Sequence, residues 1–171
     1  KPQMKRVVIV GGGYAGTALA RALDATAAVV LIEPREKFFH NVAGIRAIVE
    51  PALLDKIAIP YDRLLKRGKV VRGRAEKITD RTVTLSNGEI IEGDIVVVAT
   101  GSRYARPFKP QTDSVVALIA DSRALHEQLL QVKSIAIVGA GAVGTELAGE
   151  IAVGIRGKKI TLISSTPTLF P

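Results

Sequence analysis

The stretch VVIVGGGYAGTALARAL, residues 7–23, decides the fold of this chain. An apolar, largely β-branched run, Arg6–Val10, leads into three glycines, and the segment Ala15–Asp24 that follows has the alanine-rich composition of a helix. The stretch IAIVGAGAVGTELAGEIA, residues 135–152, repeats the pattern. The sequence therefore predicts an α/β fold in which a strand buried on both faces runs into a helix twice.

Each glycine cluster has the Gly-x-Gly-x-x-Gly spacing of a dinucleotide-binding turn. The first glycine permits the tight turn, the second lets backbone amides approach a pyrophosphate, and the third lets helix and strand pack closely. Unpaired N–H groups at the helix N-terminus then attract the phosphates. A single match is equally compatible with a dinucleotide-binding turn and with a glycine-rich turn required only for helix packing. Two matches in the same strand-to-helix context favour two Rossmann-like units, at Gly11, Gly13 and Gly16 and at Gly139, Gly141 and Gly144.

The end of the second strand of each unit predicts which nucleotide it takes. Glu33 ends the strand Val29–Ile32, where a carboxylate can accept hydrogen bonds from the ribose hydroxyls of an adenosine. An exposed charge at a strand end is the alternative. The corresponding strand of the second unit, Lys159–Ser164, ends in two serines and no acid. A 2′-phosphate would therefore not be repelled there, so the second unit could bind NADPH.

Between the two units the pattern changes. The Asn87-Gly88 turn lies among three short strands, which predicts an antiparallel meander inserted into the α/β pattern. The predicted strands are Lys69–Ile78, Thr82–Leu85 and Glu89–Ile91, and a buried strand follows at Asp94–Thr100. The remaining predicted elements are a loop and helix within Phe38–Ala52, a linker at Arg103–Pro110 and a helix at Ser122–Gln131. We expect two domains, residues 1–106 and 107–171.

The composition of the chain indicates which classes of partner it could bind. Lys and Arg total 24 against 16 Asp and Glu, a formal charge of +8 that favours anionic partners. Aromatic residues make up only 4%, tryptophan is absent, and the basic residues are spread along the chain, so we expect no nucleic-acid binding. No run of apolar residues is long enough to span a membrane. We expect a soluble, cytoplasmic protein, with peripheral membrane contact as an alternative.

The chain contains no cysteine. Disulfides, thiolate metal sites and dithiol redox pairs are therefore excluded within these 171 residues, and we expect no metal. Redox chemistry would have to come from a bound cofactor. His40 could relay protons, but a single loop histidine is more often a surface or capping residue, and we assign it no catalytic role.

The motifs FFHNVAGIRAIVEP, VVVATGS and GAGAVGTELAGEIA together resemble the two-dinucleotide-binding flavoproteins, also called pyridine nucleotide–disulfide oxidoreductases. They are most similar to the branch of the ferroptosis suppressor protein, apoptosis-inducing-factor-like proteins and type II NADH dehydrogenases. The resemblance covers nearly the whole chain. It implies FAD on the first unit, NAD(P)H on the second, hydride transfer from nicotinamide to flavin, and a quinone as electron acceptor. The lack of cysteine agrees with this branch, whose members reduce quinones without a dithiol.

The resemblance also implies roles for individual residues. Glu146 matches the catalytic glutamate that positions the nicotinamide over the flavin, although a first-turn helix glutamate favoured by the dipole is an equal alternative. In the FAD site, Glu33 would bind the ribose and Val71 would face the adenine through its backbone. The remaining expected cofactor contacts are Gly11, Gly13, Tyr14, Ala15, Gly16, Pro34, Arg35, Asn41, Val42, Arg46, Ala99, Thr100, Gly101, Gly139, Gly141, Val143, Gly144 and Ser164.

The chain departs from the family in stopping soon after the last predicted strand, at Phe170-Pro171. The rest of the NAD(P)-binding unit, a later Gly-Asp segment and the C-terminal interface domain are missing. We therefore expect the N-terminal portion of an enzyme, inactive alone and prone to homo-oligomerise through its uncovered edges. A non-catalytic dinucleotide-binding module that acts in signalling or interaction is the alternative.

Overall fold

The computed structural model describes residues 4–102, 109 and 112–167. These residues divide into two compact units. The first unit holds residues 4–39, 59–102 and 113–115, and the second unit holds residues 40–58, 109, 112 and 116–167. The predicted domain limits stay a prediction. Apart from Lys109, the predicted linker Arg103–Pro110 lies outside the described residues.

The elements follow one another in short segments along the chain. The strands are β1 (Arg6–Val10), β2 (Ala28–Glu33), β3 (Lys37–Phe39), β4 (Ala58–Pro60), β5 (Lys69–Arg72), β6 (Ala75–Ile78), β7 (Thr82–Leu85), β8 (Ile90–Glu92), β9 (Ile95–Val98), β10 (Ser134–Val138) and β11 (Lys159–Ile163). The helices are α1 (Tyr14–Leu23), α2 (Asn41–Val49), α3 (Leu54–Ile57), α4 (Val115–Gln131) and α5 (Ala142–Gly154), and a 3₁₀ turn covers Pro51–Leu53. In the part of the chain that the structure describes, no helix is long and apolar enough to cross a bilayer.

The sheet of the first unit is parallel and has the strand order β5-β2-β1-β9. Alternate residues of β1 and β2 point to opposite faces, and both faces are buried. One face, together with residues of β7 and β8, forms a core of Val8, Val10, Val30, Ile32, Val83, Leu85 and Ile91. The other face and α1 form a core of Val7, Ile9, Ala20, Ala27, Val29 and Leu31. The prediction of a strand covered on both sides is confirmed, with a helix on one side and the meander on the other.

The meander consists of β6, β7 and β8, which form a three-stranded antiparallel sheet. The prediction of one strand over Lys69–Ile78 is wrong. Its first half, β5, joins the parallel sheet beside β2, and its second half, β6, pairs with β7. Gly73 lies at the break, where a Cβ atom would come within 2.8 Å of the Leu85 side chain. A side chain at this position would therefore require the buried Leu85 to shift.

The second unit is built on the parallel pair β10 and β11. Its core combines residues from these strands and from helices α2, α4 and α5: Ile48, Leu129, Ile137, Ile151 and Ile155. Helix α4 begins at Val115, well before the predicted start at Ser122. Ser114, directly before Val115, is a residue type preferred at helix N-caps, and the prediction overlooked this signal. The Val115 N–H also donates to Glu36 Oε1 at 3.1 Å.

A buried carboxylate anchors the loop that precedes β5. Asp24 follows α1, is only 9% exposed, and accepts hydrogen bonds from three successive backbone N–H groups. The shortest come from Lys66 at 2.6 Å and Gly68 at 2.7 Å, and Arg67 donates at 3.2 Å. These bonds, led by that of Gly68, outweigh burial and lower the pKa of Asp24 below its ordinary value.

This lowered pKa predicts acid sensitivity. A carboxyl group whose pKa is lower in the folded state contributes stability above its unfolded pKa of about 3.9, and loses it as the pH falls through the folded pKa. We expect Asp24→Asn to lower the melting temperature at pH 7. The difference from the unsubstituted protein should shrink below about pH 4. Circular dichroism melts between pH 7 and pH 2.5 measure it.

Asp80→Asn, at an exposed turn position, is the matched control and should change the melting temperature little at any pH. A pH-independent effect of Asp24→Asn would contradict the proposed role of the Asp24 charge.

Candidate functional site: two glycine turns

The first glycine turn lies between the carboxyl ends of β2 and β9. Gly11 has a φ of +108° and its N–H donates to the Ile32 carbonyl at 2.8 Å. A Cβ atom on Gly11 would collide with the Ala99 carbonyl and lie 3.0 Å from the Thr100 Cα. The structure thus brings Ala99 and Thr100, both predicted cofactor contacts, against the turn. Gly101 follows with a φ of +71°.

The other two glycines of this turn differ in what surrounds them. A Cβ atom on Gly16 would overlap the Gly11 carbonyl oxygen, so this glycine serves the packing of α1 against the turn. A Cβ atom on Gly13 would meet no described atom within 4 Å. Gly13 is also the N-cap of α1, and no side chain caps the helix there. The helix N-terminus beside Tyr14 and Ala15 therefore opens onto space that a phosphate could occupy.

Glu33 is buried, with an exposed fraction of only 2%. Its Oε2 accepts the Gly12 N–H at 2.6 Å, and its Oε1 accepts the backbone N–H of Arg35 at 3.0 Å and its Nε at 2.7 Å. Burial alone would lower the pKa of Arg35, but the hydrogen bonds and charge of Glu33 raise it. The alternative of an exposed strand-end charge is therefore wrong. Glu33 holds the turn in place, and this role was not foreseen.

Tyr61 is a site residue that sequence reasoning missed. It is 9% exposed, and its hydroxyl donates to the Gly12 carbonyl at 2.7 Å. Burial, helped by the nearby charge of Glu33, raises the pKa of Tyr61 above its ordinary value. The segment IPYDRLL carries no motif that marks this tyrosine, because the contact spans 49 positions of sequence.

A cleft of about 440 Å³ opens beside Glu33, which is large enough for a nucleoside. Its walls include Arg35, Tyr61 and Arg72. Strand β5 forms one side, and Val71 on this strand pairs with Ile32 of β2. Pro34 follows Glu33 directly, and its carbonyl accepts a bond from Arg72 Nε at 3.4 Å. The first unit therefore gathers the predicted adenosine contacts at one edge of the sheet.

The second glycine turn reproduces the backbone of the first. Gly139 also has a φ of +108°, and its N–H donates to the Ile163 carbonyl at 2.9 Å. A Cβ atom on Gly144 would overlap the Gly139 carbonyl, whereas one on Gly141 would meet no described atom within 4 Å. No side chain caps α5 at Gly141. The residues fit a second phosphate group in the same way as the first turn.

The register of the strands defines the position equivalent to Glu33. Val10 pairs with Ile32 in the first unit, and Val138 pairs with Ile163 in the second. Ser164 therefore occupies the position of Glu33. It is exposed, and its hydroxyl accepts the Thr166 N–H at 3.1 Å. No acidic or basic residue lies between Ser164 and Pro171, so this segment supplies neither a carboxylate nor a cation near Ser164.

Glu146 and Val143 lie on α5 after this turn. The helix begins at Ala142 and its first turn contains no acidic residue. The interpretation of Glu146 as a first-turn glutamate is therefore wrong, and its side chain is exposed. Its predicted catalytic role stays a prediction.

The predicted flavin-flanking residues Asn41, Val42 and Arg46 lie on α2, in the second unit. His40 caps this helix, its Nδ1 lying 3.5 Å from the Ala43 nitrogen, as expected for a capping histidine. Asn41 Oδ1 is buried and has no hydrogen-bond partner among the described residues, so an additional donor would stabilise it. Arg46 forms an exposed ion pair with Glu50 at 3.2 Å. Among the described residues no cluster of acidic or histidine side chains could hold a metal ion.

Comparison with known proteins identifies the family. The family model described as pyridine nucleotide-disulphide oxidoreductase matches residues 5–171. The chain belongs to this family. Members bind FAD and NAD(P)H and have Rossmann-type folds, which confirms the predicted α/β architecture of two Rossmann-like units with an inserted meander.

Individual relatives agree with this family. Apoptosis-inducing factor homolog A of Dictyostelium discoideum is 41% identical over 171 residues, which are 95% of this chain and 42% of that protein. Ferroptosis suppressor protein 1 of Taeniopygia guttata is 36% identical over 96% of this chain and 45% of its own length. The structure is similar to the sulfide:quinone oxidoreductase of Aquifex aeolicus, with a TM-score of 0.72 and 23% identity over 96% of this chain and 44% of that one. The chain thus spans less than half the length of these proteins.

The different surroundings of Gly13 and Gly16 predict opposite effects of alanine. Gly13→Ala places a methyl group in open space and should cost less than about 1 kcal/mol of stability, because only the N-cap preference is lost. It should nevertheless weaken FAD binding at least about tenfold if phosphate occupies that space. Gly16→Ala should cost about 1–3 kcal/mol or more by overpacking.

Urea unfolding and FAD titration of both variants measure these effects. Full FAD affinity in Gly13→Ala would exclude the N-terminus of α1 as the phosphate site.

Proposed function

We propose that this chain is the dinucleotide-binding portion of an FAD-dependent NAD(P)H oxidoreductase. The observation that carries the proposal is the pair of turns in which Gly11 and Gly139 share a φ of +108°, each followed by a helix N-terminus that no side chain caps. Two dinucleotide sites in one chain suit transfer of electrons between the two dinucleotides.

The first unit is proposed to bind FAD. Gly13, Tyr14 and Ala15 would present backbone N–H groups to the pyrophosphate, and Glu33 would accept bonds from the adenosine ribose. A carboxylate has about four acceptor positions, and the strong bonds from Gly12 and Arg35 occupy three of them. Arg35 Nη2, at 3.4 Å from Oε2, is the weakest partner and the one that a ribose hydroxyl could most easily replace.

The second unit is proposed to bind NAD(P)H at Gly139, Gly141, Val143 and Gly144, with Ser164 beside the ribose. Glu146 is proposed to hold the nicotinamide through its carboxylate, since it is exposed on α5 beyond the helix start. A flavin held by the first unit would supply two-electron redox chemistry, taking a hydride from NAD(P)H and giving the electrons to a final acceptor. Thr100 and Gly101, at the end of β9, would lie beside the flavin.

The proposed final acceptor is a quinone, which would take two electrons and two protons. These 171 residues contain no cysteine, so they supply no dithiol to accept electrons. Support for a quinone comes from the resemblance to quinone-reducing relatives.

The test is a spectrum of the purified protein expressed from its complete reading frame. We expect bound FAD with visible absorbance, bleaching on anaerobic addition of NADPH or NADH, and recovery of the colour on addition of a soluble quinone. Bleaching without recovery would support reduction of FAD by NAD(P)H and would contradict a quinone as the final acceptor. A protein that binds nucleotides but no flavin would support the non-catalytic module instead.

Coenzyme choice should depend on Ser164. Because Ser164 occupies the position of Glu33, Ser164→Glu would place a carboxylate where the 2′-phosphate of NADPH is proposed to bind. We expect the KM for NADPH to rise at least about tenfold, corresponding to about 1.4 kcal/mol, with little change for NADH. Steady-state kinetics with both coenzymes measure this.

The control is Ser165→Glu, which adds the same charge one residue further on. Equal effects of both substitutions would indicate general charge repulsion rather than a position equivalent to Glu33. A strong native preference for NADH would contradict the argument from Ser164.

A further inference from the structure

The peptide groups on either side of Gly12 are held by two side chains from different parts of the first unit. The Gly12 N–H donates to Glu33 Oε2 at 2.6 Å, and the Gly12 carbonyl accepts the Tyr61 hydroxyl at 2.7 Å. Both partners are buried, with 2% and 9% exposure. A Cβ atom on Gly12 would come within 2.7 Å of the Tyr61 hydroxyl and 2.9 Å of Glu33 Cγ, so a side chain here would displace one of these partners.

The orientation of this carbonyl matters for anion binding. The peptide plane that carries the Gly12 carbonyl also carries the Gly13 N–H, and in a trans peptide the two groups point in opposite directions. A carbonyl held by Tyr61 in the protein interior therefore directs the Gly13 N–H away from Tyr61, toward the open side of the turn. A carbonyl turned outward would instead present a partial negative charge to a phosphate.

The second turn lacks this arrangement. The residue equivalent to Gly12 is Ala140, whose carbonyl accepts the Thr145 hydroxyl of its own helix at 3.3 Å. The equivalent hydroxyl in the first unit, Thr17, donates to the Gly13 carbonyl at 2.8 Å, which leaves the Gly12 carbonyl to Tyr61. A distant residue thus orients the first turn, whereas a local residue contacts the second.

We propose that Tyr61 is a positioning residue for FAD: its hydroxyl holds the Gly12 carbonyl inward so that the turn presents N–H groups to the pyrophosphate. The inference rests on the proposed FAD site of the first unit. A tyrosine hydroxyl is protonated throughout the neutral range, so Tyr61 keeps its donor proton there. Tyr61 acts through the backbone and touches no reacting atom.

The test compares Tyr61→Phe with Val83→Ala in the full-length protein. Tyr61→Phe removes the donor and keeps the ring, whereas Val83→Ala weakens the buried core shared with Val10 and Ile32 but removes no hydrogen bond of the turn. We expect Tyr61→Phe to weaken FAD binding about threefold to tenfold, as for loss of one buried hydrogen bond, and Val83→Ala to leave it unchanged. The ³¹P signals of the bound FAD pyrophosphate should shift only in Tyr61→Phe.

NADPH affinity is expected to be the same in all three proteins, since the second turn has its own contact. Unchanged FAD affinity and ³¹P signals in Tyr61→Phe would overturn the inference while leaving the FAD site intact. Equal FAD losses in both variants would also overturn it, because general destabilisation would then explain them. Absence of FAD binding by the unsubstituted protein would overturn both the inference and the proposed function.

Discussion

The strand-to-helix turn depends on one close approach, that of α1 to the carbonyl of Gly11. A single added methyl group at Gly16 would overlap this carbonyl oxygen, and one at Gly11 would overlap the Ala99 carbonyl. Packing therefore demands glycine at the first and third positions of the motif, whether or not a nucleotide is bound. The middle position, Gly13, has no such packing constraint among the described residues. A requirement for glycine at this position would therefore indicate a bound ligand more directly than at the other two.

Two buried carboxylates anchor backbone in the first unit. Asp24 accepts three consecutive N–H groups of the loop before β5, and Glu33 accepts the N–H of Gly12 together with Arg35. A buried charge is costly unless it is fully hydrogen-bonded, and both carboxylates satisfy this condition with protein groups alone. Glu33 is thus needed for the shape of the turn as well as for its proposed ribose contact. A substitution of Glu33 would disturb the turn and the proposed ribose contact together. Tyr61→Phe removes a hydrogen bond of the turn and leaves the Glu33 carboxylate in place.

The two turns share a backbone but differ in their side chains. Glu33 and Ser164 occupy equivalent positions, one buried and charged and the other exposed and neutral. Tyr61 and Thr145 contact equivalent carbonyls, one from a distant segment and the other from the adjoining helix. These differences agree with the proposal that the two units bind different dinucleotides, in which the shared backbone would contact the phosphates. The side chains at the strand ends would then contact the sugars.

The sequence by itself determined the elements whose cause is local. The glycine spacing and apolar runs predicted both strand-turn-helix units, and Asn87-Gly88 predicted the hairpin in which Gly88 has a φ of +86°. Only the tertiary structure decided features that join distant segments. Lys69–Ile78 divides between two sheets, its first half pairing with β2 and its second half with β7, and the Val115 N–H of α4 donates to the distant Glu36. Tyr61 was missed for the same reason: hydrogen bonds across long stretches of chain leave no periodic pattern in the sequence.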